Sequence, residues 1–291
     1  MRYRLERRDG VTQAPAWWNV AGTAFHECIR EWETDQAGYP HDSAGRTPDA
    51  QAERFGHHLA NAIAETVLAT GIGPSGWRTG GRASTQYPNK EDRAWWLDNG
   101  PEMVAKYVQA QEGRDCEVLR LGEQGETLAL ELGFLWQPAL GELPPVKGFI
   151  DQVLYYPRTD AILIRDYKSG SSIPVDSLQV GIYRLALEQV FGIKASKWWG
   201  DYWQARKGAA SRGWDLTDSA KVEAGVRYRL HAMDMAENLN LYPPNPGNNC
   251  SACGVRAACP AMSDEPFALW KHGERYGKPE PLTLAPLSTG E

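Results

Sequence analysis

The amino-acid sequence predicts an α/β fold: a small mixed sheet flanked by helices, with a helical lobe before it and a cysteine-rich segment after it. Three observations predict it. Helical periodicity fills the opening third, four strand patterns crowd between Cys116 and Tyr167, and a Trp-rich strand then stands between two further helices. At ~150 residues per domain, 291 residues allow two domains or one decorated α/β domain. With 42% hydrophobic and 23% charged residues, and 12 Trp, 12 Tyr and 6 Phe, a disordered or low-complexity chain is excluded. A formal charge of -6 argues against a nonspecific polycation, so any nucleic acid would need a local basic path. No apolar run approaches the ~18 residues of a membrane span. The start MRYRLERRDG carries no apolar segment of the secretory type, and a soluble, intracellular protein is expected.

The elements follow in order. A first helix is expected near Gly22-Thr23, because Phe25, Cys28 and Trp32 recur at i, i+3 and i+7 opposite Glu27, Arg30 and Glu31. Residues 34–50 read as a polar loop, followed by helices over about Ala50 to Thr70 and, after Pro88, Asn89 to Glu112. Strands are expected at Cys116 to Leu121, Thr127 to Phe134, Lys147 to Tyr156 and Ala161 to Tyr167, as an antiparallel meander. A helix over Asp176 to Val190, a strand over Lys197 to Gln204 and a helix over Asp218 to Leu239 complete the pattern, and no internal repeat interrupts it. As one integrated domain, the chain divides into a helical part (1–114), a core (115–240), a cysteine-rich segment (241–262) and a proline-rich tail (263–291).

Two of these strands carry charges where apolar residues are expected. In ILIRDYKSG the period of two aligns Ile162, Ile164, Asp166 and Lys168, and GFIDQVLYY aligns Phe149, Asp151, Val153 and Tyr155. Charges on buried faces are costly without a task. Two acids and a lysine at one end of a sheet suit Mg²⁺ or Mn²⁺ and a phosphate ester, the lysine orienting water or neutralising developing charge. The plain alternative is a solvated hairpin with a surface Asp-Lys pair. Gln179 and Tyr183 lie one helical turn apart and share a face. His26 is rotated off its helix's apolar stripe, as a surface histidine or a site residue would be.

Cys250, Cys253 and Cys259 precede Pro260 with a spacing that can wrap one zinc or three corners of an iron-sulfur cluster. A fourth ligand would have to come from elsewhere in the chain. The strand KWWGDYWQARKG could offer rings to single-stranded bases, although core packing is the commoner use of tryptophan. Arg2, Arg4, Arg7 and Arg8 could approach phosphates or simply be solvated.

Taken together, the motifs resemble the RecB-like branch of the PD-(D/E)XK nucleases, including CRISPR-associated RecB-like exonucleases and stand-alone phage relatives. The matching residues are Gly22-Thr23-Ala24-Phe25-His26-Glu27, Gly148-Phe149-Ile150-Asp151, Asp166-Tyr167-Lys168 and Gln179-Val180-Gly181-Ile182-Tyr183, in family order. With the cysteines, the likeness covers about residues 20–262. It implies a restriction-endonuclease-like core and a Mg²⁺- or Mn²⁺-dependent DNA exonuclease working on single strands or ends, in the cytoplasm of a prokaryotic or phage-infected cell. His26, Asp151 and Asp166 would hold the metal, with Tyr167 through its carbonyl; Lys168 would be catalytic, and Gln179 and Tyr183 would position it or the strand. It also implies a 4Fe-4S cluster on Cys250, Cys253 and Cys259, zinc being the lesser alternative. The family's early cysteine normally precedes the histidine helix. None does here, and Cys28 is the nearest substitute, ahead of Cys116, although its apolar stripe equally suits a core thiol. A catalytically silent DNA-binding or assembly subunit of the same fold is the alternative function.

Overall fold

The computed structural model describes residues 3–38, 47–138, 143, 145–247, 250 and 253–262. Contacts divide the chain into a unit Pro15–Asn238 and a second unit made of Met1–Ala14 and Leu239–Glu291. In the larger unit, three helices form a lobe: α1 (Trp17–Gln36), α2 (Pro48–Thr70) and α3 (Arg93–Ala110). Helix α1 starts five residues before Gly22 because its apolar stripe extends back through Val20 and Ala21 to Trp17, which packs against Trp77 with ring centroids 4.8 Å apart. Thr47 caps α2 by accepting the Ala50 N–H, Pro48 fits the first turn, and Gly71 closes the far end at φ +68°. Asp92 caps α3 through the N–H groups of Ala94 and Trp95. The starts of both helices thus follow their caps. Phe25, Ile29, Trp32, Phe55, Leu59, Trp96 and Tyr107 fill the space between the three.

The sheet comprises β1 (Glu117–Val118), β4 (Leu130–Trp136), β5 (Val146–Tyr156), β6 (Ala161–Lys168), β7 (Lys197–Gln204), β8 (Ala209–Ala210) and β9 (Trp214–Asp215). β4, β5 and β6 run antiparallel, as expected for a meander, and β7 joins β6 in parallel after a crossover through α4 (Leu178–Gln189). Helix α5 (Ser219–Asn238) packs beside α4. Two expected strands are each broken. Cys116 to Leu121 divides into β1 and β2 (Arg120–Leu121), and Thr127 to Phe134 into β3 (Thr127–Leu128) and β4. The breaks fall where the chain changes partner: Leu119 N–H bonds to Val153 O, Ala129 N–H to Leu119 O, and Val153 N–H to Ala129 O. β2 and β3 pair with each other while β1 and β4 share one edge of β5.

One face of the sheet presents Val153, Ile162, Ile164, Trp198 and Tyr202 to the cluster that includes Val180 and Tyr183 of α4 and Val226 of α5. Tyr167 and Trp203 join the lobe's cluster. Core packing therefore accounts for Trp198, Tyr202 and Trp203, while Trp199 remains 41% exposed. A buried polar network ties lobe to sheet. Glu33 of α1, fully enclosed, accepts two hydrogen bonds from Arg114 (2.7 and 2.6 Å), one from the Tyr107 hydroxyl (2.5 Å) and one from Gln152 Nε2 of β5 (2.8 Å). The Tyr107 hydroxyl also lies 3.3 Å from that of Tyr167 on β6.

In the second unit, a π-helical turn at Arg4–Arg8 contributes Leu5 to a small cluster with Val11, Cys253, Val255, Ala258 and Cys259. Arg4 pairs with Asp9 at 3.2 Å. The tail expected over 263–291 and Arg2 lie outside the described residues.

Removing the Glu33 carboxylate takes the charged acceptor from Arg114 and the principal acceptor from the Tyr107 hydroxyl and Gln152 Nε2. Glu33→Ala is expected to cost about 3–5 kcal/mol of stability, measured as a lower urea midpoint at unchanged slope.

Candidate active site

The site forms where the ladder between β5 and β6 stops. Its last pair is Gln152 with Arg165; one residue further, Asp151 would face Asp166. Instead of another main-chain bond, Asp151 Oδ2 accepts the N–H of Tyr167 at 2.6 Å. On the other edge of β5, the pairs Leu130–Gln152 and Leu132–Ile150 bracket Glu131 opposite Asp151. Glu131, Asp151 and Asp166 thus stand in one cross-strand row. Like charges directly opposite across strands repel, and two cationic side chains approach them. Lys168 Nζ lies 2.5 Å from Asp166 Oδ2. His26, on α1, reaches Glu131 Oε1 with Nδ1 at 2.9 Å and Asp151 Oδ2 with Nε2 at 3.9 Å.

Two glycines permit these approaches. A Cβ at Gly22 would come within 3.0 Å of Ser169 Oγ, so α1 can lie close against the chain leaving β6. At Gly148 a Cβ would meet the Phe134 ring at 2.9 Å. Helix α4 supplies the next shell of contacts: Gln179 accepts from Lys168 Nζ at 3.1 Å and donates through Nε2 to Asp166 Oδ1 at 2.5 Å and to the Tyr183 hydroxyl at 2.7 Å. Tyr183 in turn donates to Asp166 Oδ1 at 3.4 Å. The i, i+4 spacing makes the amide and the phenol a single bracket around Asp166 and Lys168.

The electrostatics follow from this crowding. Burial pushes Asp151 upward from the usual carboxylate range, the charges of Asp166 and Glu131 push further, and His26 and the Tyr167 N–H oppose them. Burial also raises Asp166 against the pull of Lys168 and His26. For His26, burial works downward, but the hydrogen bond to Glu131 and the charges of Asp151, Glu131 and Asp166 prevail and raise it to about 9. Burial and Asp166 hold the Tyr183 phenol far above its ordinary range, so it serves as a donor and not as a base.

A divalent cation suits this donor set. Asp166 Oδ2 is buried with no well-directed hydrogen bond, only the Lys168 ammonium beside it. Among the described residues, His26, Glu131 and Asp151 offer ligand atoms all within 4.8 Å of one another. Carboxylate oxygens with one imidazole are a donor set for Mg²⁺ or Mn²⁺.

The structure brings together His26, Asp151, Asp166, Lys168, Gln179 and Tyr183, with the Tyr167 main chain; the Tyr167 ring turns away into the lobe. Glu131 was not among the residues singled out from the sequence. Its signal was there: in LALELGFLW it is the one charge in an apolar run, as Asp151 and Asp166 are in theirs. Of the cysteines, Cys28 is fully buried among the lobe's apolar side chains, and burial pushes its thiol well up. Cys116 borders the Val118, Leu154 and Leu163 cluster. Within the second unit, Cys250 Sγ accepts the Gly247 N–H at 3.3 Å.

An acid row across three strands, a lysine two residues beyond Asp166 on β6 and a helix-borne histidine at the open end of a mixed sheet form a donor set that could hold a cation. The chain belongs to the PD-(D/E)XK nuclease superfamily, whose sequence pattern matches residues 1–260. Members of that superfamily are generally metal-dependent nucleases acting on DNA, using Mg²⁺ or Mn²⁺. The chain is similar to the Gene 69 protein of Mycobacterium phage D29, 29% identical over 285 residues covering 90% of this chain and 92% of that protein. It is also similar to the Gene 69 protein of Mycobacterium phage L5, 26% identical over 296 residues, 89% and 91% of the two chains. A solved structure described as "Crystal structure of SSO0001" matches at 12% identity and a TM-score of 0.33, over 81% of this chain and 95% of that one. Among the described residues, no helix is long and apolar enough to cross a membrane.

A cation held by His26, Asp151 and Asp166 would need both carboxylates ionised and one imidazole nitrogen unprotonated, and all three groups are held toward their protonated forms. Because protons and cation compete, affinity must rise with pH. Thermal stabilisation by a fixed Mn²⁺ concentration is expected to grow from about pH 5.5 up to about pH 9, where His26 gives up its proton, with proton release seen in calorimetry in buffers of different ionisation enthalpy.

Proposed function

We propose that this protein is a RecB-like, Mg²⁺- or Mn²⁺-dependent DNA exonuclease that hydrolyses phosphodiester bonds on single strands or at DNA ends. The observation that carries the reading is the convergence of Asp151, Asp166 and Lys168 with His26 at the splayed end of β5 and β6. The four ordered motifs support the RecB-like assignment, and the preference for ends and single strands rests on that likeness. An intact acid, acid and lysine set disfavours a catalytically silent subunit.

His26, Asp151 and Asp166 would hold the cation, with the Tyr167 main chain beside them. The bound cation supplies positive charge to the scissile phosphate and acidifies a water. Lys168 then hydrogen-bonds the attacking water or the charge growing on phosphorus, and Gln179 fixes Lys168 by accepting a hydrogen bond from its Nζ. The water oxygen bonds to phosphorus, one P–O ester bond breaks, and the departing oxygen takes a proton. The products are a phosphate monoester and a hydroxyl. Tyr183 keeps its proton and helps hold Asp166 in register.

Asp166→Ala and Lys168→Ala are each expected to lower cleavage of a labelled oligonucleotide with Mg²⁺ or Mn²⁺ by at least about 10²–10³-fold. Metal-free stability of Asp166→Ala should hold or rise, because a buried like-charged group is gone. Wild-type turnover in either variant rules out this active site.

The same reading assigns Cys250, Cys253 and Cys259 to a 4Fe-4S cluster. It is supported by their spacing. The enclosed position of Cys28 favours a core thiol over a cluster corner. Cys253→Ser is then expected to lose the visible iron-sulfur absorption in anaerobically purified protein, and Cys28→Ser to keep it. Zinc without iron in the wild type would replace the cluster with a zinc site.

A further inference from the structure

We infer that Glu131 is a positioning residue for His26: it accepts a hydrogen bond from Nδ1–H and so turns Nε2 toward the carboxylates that would hold the cation. The inference rests on the active-site reading above, in which His26 is a metal ligand.

Four observations carry it. An ionised carboxylate can only accept a hydrogen bond, so the 2.9 Å contact between Glu131 Oε1 and His26 Nδ1 requires the proton on Nδ1. When a cation displaces the other ring proton, the lone pair is then on Nε2, the nitrogen that lies 3.9 Å from Asp151 Oδ2. Second, the ring has little else to fix its rotation. Its neighbours are the edge-on aromatic rings of Tyr167, at 5.3 Å between centroids, and Phe25, at 6.4 Å, which set a plane but do not distinguish the two nitrogens.

Third, Glu131 sits in the left-handed region at φ +47°, inside strand β4. A non-glycine residue there costs on the order of 1–3 kcal/mol and persists where its surroundings hold it. The backbone is turned at the residue that meets His26. Fourth, the β4–β5 register brings Glu131 opposite Asp151, so β5, which also sets Asp151 against β6 and Asp166, sets the partner of the imidazole. Histidine ligands to metals commonly donate their second ring N–H to a carboxylate, which fixes the tautomer and strengthens the donor.

The test measures Mn²⁺ binding by the electron paramagnetic resonance of unbound Mn²⁺, and the His26 ring nitrogens by ¹⁵N nuclear magnetic resonance with Mg²⁺ present. Glu131→Ala is expected to weaken Mn²⁺ by about tenfold to a hundredfold and to lose the Nδ1–H signature; Glu131→Gln, whose Oε1 still accepts, should recover most of both. Should the alanine variant fail to fold, Glu131→Gly suits the backbone and removes the same carboxylate. In a His26→Ala background, Glu131→Ala should add no further loss. Additive losses would overturn the proposal in favour of direct ligation by Glu131. Weakened binding in His26→Ala with wild-type affinity and tautomer in Glu131→Ala would overturn it alone. Unchanged affinity in His26→Ala would overturn the metal site itself, and this role with it.

Discussion

The enclosed carboxylate of Glu33 is the constraint on which the catalytic geometry depends. It lies on the same helix as His26, two turns further along, and it binds Gln152, the neighbour of Asp151. Through Tyr107 it also meets Tyr167, the residue between Asp166 and Lys168. Two helices and two strands therefore share one polar knot, and a shift of the lobe on the sheet would break several buried hydrogen bonds at once. Apolar packing alone tolerates small slides between a helix and a sheet. A carboxylate with four directed donors does not, and the 2.9 Å contact between His26 and Glu131 needs that precision.

Charge is distributed across the sheet with the same economy. On β6, Arg165 is buried and pairs with Asp201 of β7 through two bonds of 2.9 and 2.8 Å. One residue on, Asp166 lies toward the opposite face, where Lys168, Gln179 and Tyr183 gather around it. The Arg165–Asp201 pair is self-contained, whereas the acid row outnumbers the cations near it. Neutrality on the first face and an excess of carboxylate on the second separate a structural ion pair from a cluster that could hold a cation.

Much of this was legible in the sequence, because period-two alternation is rigid. It aligned Asp151 with Val153 and Asp166 with Ile164, and the register pairs Val153 with Ile164. The Lys197–Gln204 strand follows its apolar and aromatic run to the residue. What periodicity could not give was a change of partner. Leu119 and Ala129 hand the chain from one strand to another without any Gly or Pro to mark the place. Glu131 shows as a lone charge in the apolar run LALELGFLW, but its contact with His26 depends on a backbone turn inside a strand and on a helix 105 residues away, which no pattern marks. Trp17 shows the limit at helix ends, where a tertiary contact with Trp77 extended α1 beyond its local signal.

The separation of His26 from Glu131, 105 positions along the chain, also sets an order of assembly. During synthesis the histidine helix emerges well before any of the three acids, and the strands carrying them gain their pairing only when β5 and β6 have both left the ribosome. Contacts of such long range form late, because loop closure must precede them. The imidazole therefore meets the carboxylates only after lobe and sheet have docked. A nascent or half-folded chain in which lobe and sheet have not yet docked therefore lacks the constellation of His26, Glu131, Asp151 and Asp166.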